Sequence, residues 1–243
     1  ESFKNKKVVV TGHTGFKGSW LSIWLHSLGA DVFGISSDIP SIPSHFMETN
    51  VGAIIKDYRL DINDSEKLKN LFLEIKPDFV FHLAAQPLVR KSFQEPLLTW
   101  HTNTIGTLNV LESIRCLVNN CVAILITSDK SYENVEWTWG YRENDRLGGL
   151  DPYSSSKACA ELIIKSFYDS FLKNKKNLRI GIGRAGNVIG GGDWAEDRLV
   201  PDCMKSWHMD KTVNIRNPVA TRPWQHVLEP LSGYLNLALN LSK

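Results

Sequence analysis

The feature that most constrains the fold is the run Val8-Val9-Val10-Thr11-Gly12-His13-Thr14-Gly15-Phe16-Lys17-Gly18, where a β-branched strand pattern breaks into glycines three apart and passes at once into a helical pattern. Glycines at these positions permit a sharp turn, let backbone amides approach a diphosphate, and let the helix pack closely on the strand, while the helix N-terminus attracts phosphate. Gly12, Thr14, Gly15, Phe16 and Gly18 are therefore candidate contacts to a dinucleotide. A glycine-rich turn without any ligand would have the same strand, loop and helix.

The rest of the chain repeats the alternation. Strand patterns fall at 7–11, 31–35, 54–60, 79–83, 122–127 and 178–184, and helical patterns at 15–28, 65–75, 98–118 and 153–172. This order predicts an α/β fold, a Rossmann-like doubly wound parallel sheet whose ligands lie beyond the carboxyl ends of the strands. After Arg184 the texture changes, with Gly190, Gly191, Gly192, Pro201, Pro218 and Pro223 among only brief regular patterns. A dinucleotide-binding Rossmann domain over 1–185 and a small C-terminal substrate-binding lobe over 186–243 are predicted, with a helix at 226–241 able to pack back on the first domain. A chain of 243 residues accommodates one large domain with such a lobe.

Composition narrows the partners. Lys plus Arg number 28 against 26 Asp plus Glu, a net charge of +2, so bulk electrostatics point to neither nucleic acid nor an anionic membrane. No apolar run reaches the ~18 residues of a membrane span, and the first ten residues form a strand pattern and not a signal-peptide core. Cys116, Cys121, Cys159 and Cys203 have no C-x-x-C spacing and no nearby histidine pairs. They read as reduced thiols of a cytoplasmic protein without a metal site.

Further polar residues collect at strand ends. Asp61, before Ile62 at the end of the third strand, can accept an adenine amino group or cap a loop turn. Leu83, Ala84 and Ala85 end the fourth strand with small side chains, where a dinucleotide would lie or where core would pack. Asp38 comes about two residues later than a ribose-gripping acid should, which leaves NAD and NADP both open. Ser128, Asp129 and Lys130 follow the fifth strand, a costly set of polar groups beside a core unless they face a polar ligand. Tyr153 and Lys157 stand at i and i+4 on a helix opened by Pro152, so they share a face. An ammonium beside the phenol, together with an oxidised nicotinamide, would favour the phenolate and make Tyr153 a base near neutral pH.

Together these residues resemble the extended short-chain dehydrogenase/reductase family, and within it the sugar-nucleotide 4,6-dehydratases. The resemblance is carried by Gly12 to Leu21, Ala84 to Arg90, Thr127 to Lys130, Gly149 to Ser154, Arg184 to Trp194 and Arg222 to Leu231, and it spans essentially the whole chain. It implies NAD as cofactor and CDP-glucose as substrate, oxidised at C4, dehydrated across C5 and C6, and reduced at C6. By resemblance Tyr153 is the base at the 4-hydroxyl, Ser128 its hydrogen-bonding partner, Lys157 the ribose contact and Asp129 the acid at the 6-oxygen. Lys130 stands where related dehydratases acting on dTDP-glucose carry a glutamate. An ammonium there serves as a base only if its pKa is lowered. Gln86, Asn187, Asp193, Arg198 and Arg222 match substrate contacts, Arg222 offering a fork for phosphate oxygens.

The resemblance also implies a homodimer or higher homo-oligomer built on the helices at 98–118 and 153–172. Family members continue past a helix like that at 226–241, which implies a substrate lobe that is incomplete here. A 4-epimerase or reductase of the same fold would share the glycine loop, Tyr153 and Lys157, but has no need of Asp129 and Lys130. A dinucleotide-sensing regulator would not need Ser128, Tyr153 and Lys157 intact.

Overall fold

The valines of the first strand alternate sides. Val8 and Val10 face one layer of helices and Val9 the other, and all three are fully buried. A strand buried on both faces belongs to a parallel sheet covered by helices on either side, and the computed structural model, which describes residues 2–243, has that architecture. In chain order, β1 (Lys7–Thr11), α1 (Phe16–Ser27), β2 (Asp31–Ser36), the short α2 (His45–Glu48), β3 (Lys56–Arg59), α3 (Ser65–Ile75) and β4 (Phe79–His82) form the first half. The second half contains α4 (Val89–Gln94), α5 (Pro96–Trp100), α6 (Gly106–Arg115), β5 (Cys121–Ile126), α7 (Pro152–Phe167) and β6 (Leu178–Gly183). It ends with β7 (Asn187–Ile189), α8 (Leu199–His208), β8 (Trp224–His226) and α9 (Leu228–Ser242).

Six strands form one parallel sheet in the order β3-β2-β1-β4-β5-β6, as the alternation predicts. The order reverses between β1 and β4, which opens a crevice at their carboxyl ends. On one face α3, α6 and α7 bury Leu68, Phe72, Leu111, Ile114 and Ile164 against Val9, Val80 and Leu125. On the other, Leu21 and Leu25 of α1 join Leu231, Leu235 and Ala238 of α9 over Val8, Val10, Phe81 and Ile124. The closing helix thus packs on the same sheet as the glycine loop's helix. β7 and β8 pair in parallel as a separate ribbon beside it.

Boundaries differ from the sequence expectation where a local signal was missed. The helix expected from Leu98 starts at Pro96, whose fixed φ suits a first turn, and runs through a π-helical turn at His101–Ile105 into α6. The third strand is shorter than expected, because Ile54 caps a 3₁₀ turn at Val51–Ala53. α8 was read as loop because Pro201 looks like a breaker. It sits in the first turn, where the missing N–H costs nothing.

Candidate active site

Three strand ends meet at the crevice. From β1 comes the glycine loop, closed so tightly that side chains have no room. Gly12 has φ +76, and a Cβ there would lie 2.6 Å from the Ala84 nitrogen. A Cβ on Gly18 would come within 2.0 Å of the Gly12 carbonyl oxygen. The cradle this leaves at the start of α1 fits a diphosphate in contact with backbone amides. Gly18→Ala is expected to cost about 1 to 3 kcal/mol or more, since the clash is with backbone that cannot rotate away. Denaturant unfolding reads that loss directly, and parent stability would show that the loop can open.

The loop is braced from behind. His13, fully buried, pairs its Nε2 with Asp57 Oδ1 at 2.9 Å and its Nδ1 with the Ser36 hydroxyl at 3.0 Å. Burial lowers its pKa even though Asp57 pulls the other way. The Thr14 hydroxyl donates to the Asp38 carbonyl at 2.6 Å, tying the loop to the end of β2. Asp38 itself is exposed, its carboxylate accepting from the Ser37 hydroxyl at 2.9 Å. At β4, His82 bridges the Thr11 and Thr107 hydroxyls at 2.7 and 3.1 Å, and burial holds it neutral with a pKa of about 3. Ala84 follows, its amide on the Thr11 hydroxyl. Leu83 and Ala85 continue this strand end beside Gly12.

From β5 comes the turn that carries Ser128, Asp129 and Lys130. Ser128 caps a 3₁₀ turn at Asp129–Ser131, and its hydroxyl accepts the Lys130 amide at 3.2 Å while donating to Asp129 Oδ1 at 3.0 Å. The Ser128 hydroxyl also faces the phenol of Tyr153. Tyr153 enters from the first turn of α7, which Asp151 caps at the Ser154 amide, 2.9 Å away. Lys130 Nζ lies 5.8 Å from the centre of the Tyr153 ring. Burial lowers the Lys130 pKa, with Arg222 and Arg198 adding to the effect and Asp129 and Asp151 opposing it.

Lys157 shares the Tyr153 face and is buried, but its Nζ sits 3.4 Å from the Ile126 carbonyl oxygen and does not bond the phenol. The expected lowering of the tyrosine pKa is accordingly not present without a ligand. Burial pushes the Tyr153 phenol up, and the nearby Ser128 hydroxyl only partly offsets this. Lys157 is itself brought down to about 7, first by burial and then by the charge of Lys17.

One turn beyond Lys157, Glu161 was missed in the sequence. Its buried carboxylate accepts from the Thr127 and Ser131 hydroxyls at 2.6 and 2.9 Å and pairs with Arg184, which also bonds the Tyr132 hydroxyl at 2.7 Å. The two hydroxyls flank Ser128-Asp129-Lys130, so α7 both carries Tyr153 and clamps the turn opposite it. Glu161→Ala leaves the Arg184 charge without its partner and should cost about 3 to 5 kcal/mol. A shift of less than about 1 kcal/mol in chemical unfolding would show that the clamp is not needed.

The remaining residues divide. Arg198 is held at 2.7 Å by Asp193, and it faces Lys17, Lys130 and Tyr153. Arg222 is exposed beside Lys130. Asn187 opens β7, with its amide on the Pro223 carbonyl. Gln86 does not present its amide to the crevice. Its Oε1 accepts the Leu88 amide at 2.6 Å, its Nε2 reaches Leu88 and Thr99, and the side chain is 7% exposed. It shapes the loop after β4. The Asp61 carboxylate is engaged by the Asn63 amide at 2.8 Å, the loop-turn alternative, while Ile62 is buried against Gly106.

A family described as GDP-mannose 4,6 dehydratase matches residues 9–238. The chain belongs to this family. Among its similar proteins is CDP-glucose 4,6-dehydratase of Salmonella typhimurium, 52% identical over 243 residues, covering 98% of this chain and 68% of the relative. Among solved structures, an epimerase of Methanothermobacter thermautotrophicus superposes with a TM-score of 0.84 at 26% identity, covering 98% of this chain and 69% of that one. MoeE5 in complex with UDP-glucose and NAD has a TM-score of 0.80 at 22% identity, with 98% and 73% covered, a likeness of fold. No helix among the described residues is long and apolar enough to cross a membrane.

Proposed function

We propose that the chain carries out NAD-dependent dehydration of CDP-glucose to CDP-4-keto-6-deoxyglucose, the hydro-lyase reaction of deoxysugar biosynthesis. The observation that carries this reading is the convergence of Ser128, Asp129, Lys130 and Tyr153 at the crevice, in a chain half identical to a dehydratase. An epimerase or reductase needs the tyrosine but has no use for the acid and amine that follow Ser128.

The residues divide the work. Gly12, Thr14, Gly15, Phe16 and Gly18 would hold the cofactor diphosphate, with Leu83, Ala84 and Ala85 beneath it and Lys157 at its nicotinamide ribose. The chemistry supplied by bound NAD is acceptance of hydride from C4, its return at C6, and a positive ring charge that lowers the raised phenol pKa. Tyr153 removes the 4-hydroxyl proton, and Ser128 steadies that oxygen. The resulting ketone acidifies C5. Lys130, its pKa lowered by burial, is suited to take the C5 proton as a neutral amine. Asp129 hands a proton to the departing 6-oxygen. Asn187, Arg198 and Arg222 bind the nucleotide diphosphate, with Asp193 orienting Arg198.

The site is proposed to work in the cytoplasm, in keeping with four unbridged cysteines. A second copy is the proposed partner of the outer face of α5, the π-helical turn after it and α7, where Leu97, Ile105 and Leu162 stand exposed. Incubation with CDP-glucose, dTDP-glucose, GDP-mannose and UDP-glucose tests the function. Many equivalents of CDP-glucose should become a 4-keto sugar without net reduced cofactor. Stoichiometric accumulation of NADH would mark a simple dehydrogenase instead.

A further inference from the structure

Lys17 is the second residue of α1, inside the glycine loop between Gly15 and Gly18. Its side chain runs inward. Nζ lies 3.4 Å from the hydroxyl of Tyr234 on α9 and 5.8 Å from the centre of that ring, and Tyr234 is buried. Among the described residues no carboxylate forms an ion pair with it. The charged groups that face it are Asp129 from the β5 turn, Arg198 ahead of α8 and Lys157 of α7. Lys157 in turn is faced by Glu161 on its own helix and by neutral His82 of β4.

Positive charge therefore exceeds negative here. Arg198 already has Asp193, and Glu161 is bound by Arg184, so the carboxylate left facing Lys17 is Asp129, which also faces Lys130. Burying two ammoniums without an anion is unfavourable, and lysines relieve it by losing protons. Burial, with the charge of Arg198 adding to it, brings Lys17 to about 8, and burial, with the charge of Lys17 adding to it, brings Lys157 to about 7, so both are partly neutral near physiological pH.

We infer that Lys17, held at the glycine loop by Tyr234, supplies the ammonium that faces the diphosphate of the dinucleotide, a charge trap completed by Lys157 at the ribose, and that cofactor binding draws in a proton. This rests on the dinucleotide reading of the cradle proposed above. The proton comes from solvent and goes to a lysine amine, and no covalent bond changes. The device lies outside the glycine pattern, for position 17 is free in that pattern and Tyr234 is 217 residues away.

Calorimetric titration of NADH into the protein, in two buffers of different ionisation enthalpy at about pH 7.5, measures affinity and proton uptake together. NADH is the probe because it lacks the ring charge that would ionise Tyr153. The parent should bind with net proton uptake. Lys17→Met should bind about 10- to 100-fold more weakly, with uptake cut by about half or more. Lys17→Arg keeps the charge but does not titrate, so it should bind as the parent does with reduced uptake. Parent-like affinity and uptake in Lys17→Met overturn the trap while leaving the dinucleotide site standing. Undiminished uptake in Lys17→Arg overturns it as well, should the methionine variant not fold. Failure of the parent to bind NADH removes the dinucleotide reading, and the trap with it.

Discussion

Tyr153→Phe should retain the cofactor and lose oxidation at C4, with turnover falling by about 10² to 10⁴. The phenol is buried, faces the Ser128 hydroxyl and is placed by a capped helix, so removing its oxygen should leave the fold and the glycine loop untouched. Because burial raises its pKa, the proton-accepting form is scarce until a positive cofactor ring is beside it. The rate in the parent should therefore climb with pH through the ionisation of the loaded site, and that limb should vanish in the variant. Single-turnover measurement of reduced cofactor is the direct check. Near-parent formation would remove Tyr153 from the chemistry.

Asp129→Asn should divide the reaction at its middle. The amide can still accept from the Ser128 hydroxyl, now 3.0 Å from Oδ1, so Ser128, Tyr153 and Lys157 keep their places and oxidation at C4 should continue. Water loss should slow by about 10² to 10⁴, the usual contribution of a general acid. Reduced cofactor should then build up as a transient seen by stopped-flow absorbance, since hydride has left C4 and cannot yet return to C6. Equal slowing of cofactor reduction and product release would place Asp129 in oxidation or in binding, and the acid would have to be sought at Lys130 or a bound water.

Much of this was legible before any coordinates, for physical reasons that differ by element. The sheet could be read because its inner strands are buried on both faces and so appear as short apolar, often β-branched runs between amphipathic helices, as at Val8-Val9-Val10. Tyr153 and Lys157 could be paired because helical spacing alone places them on one face. α4 escaped because six residues are too few to show a period. Lys17 and Tyr234 escaped because contacts between α1 and α9 leave no local spacing to read. Glu161 lay within the helix already singled out, but its work is done on hydroxyls from another strand, Thr127 and Ser131. Gln86 is a polar residue past a strand end whose amide is engaged by its own loop, a pairing that residue type and position do not reveal.

The β7–β8 ribbon has a consequence for how the molecule would come apart. The segment between its strands, 190–223, leaves from the sheet edge after β6 and returns into α9, and within α8 only Pro201 is buried. Few apolar contacts hold that segment, so it should open far below the global unfolding free energy and be the first place a protease cuts. A single nick there would not release α9, because Leu231, Tyr234, Leu235 and Ala238 remain packed against the sheet and β8 stays on β7. The cut protein should survive as two fragments bound without a covalent link, the smaller one still delivering the Tyr234 hydroxyl to the glycine loop.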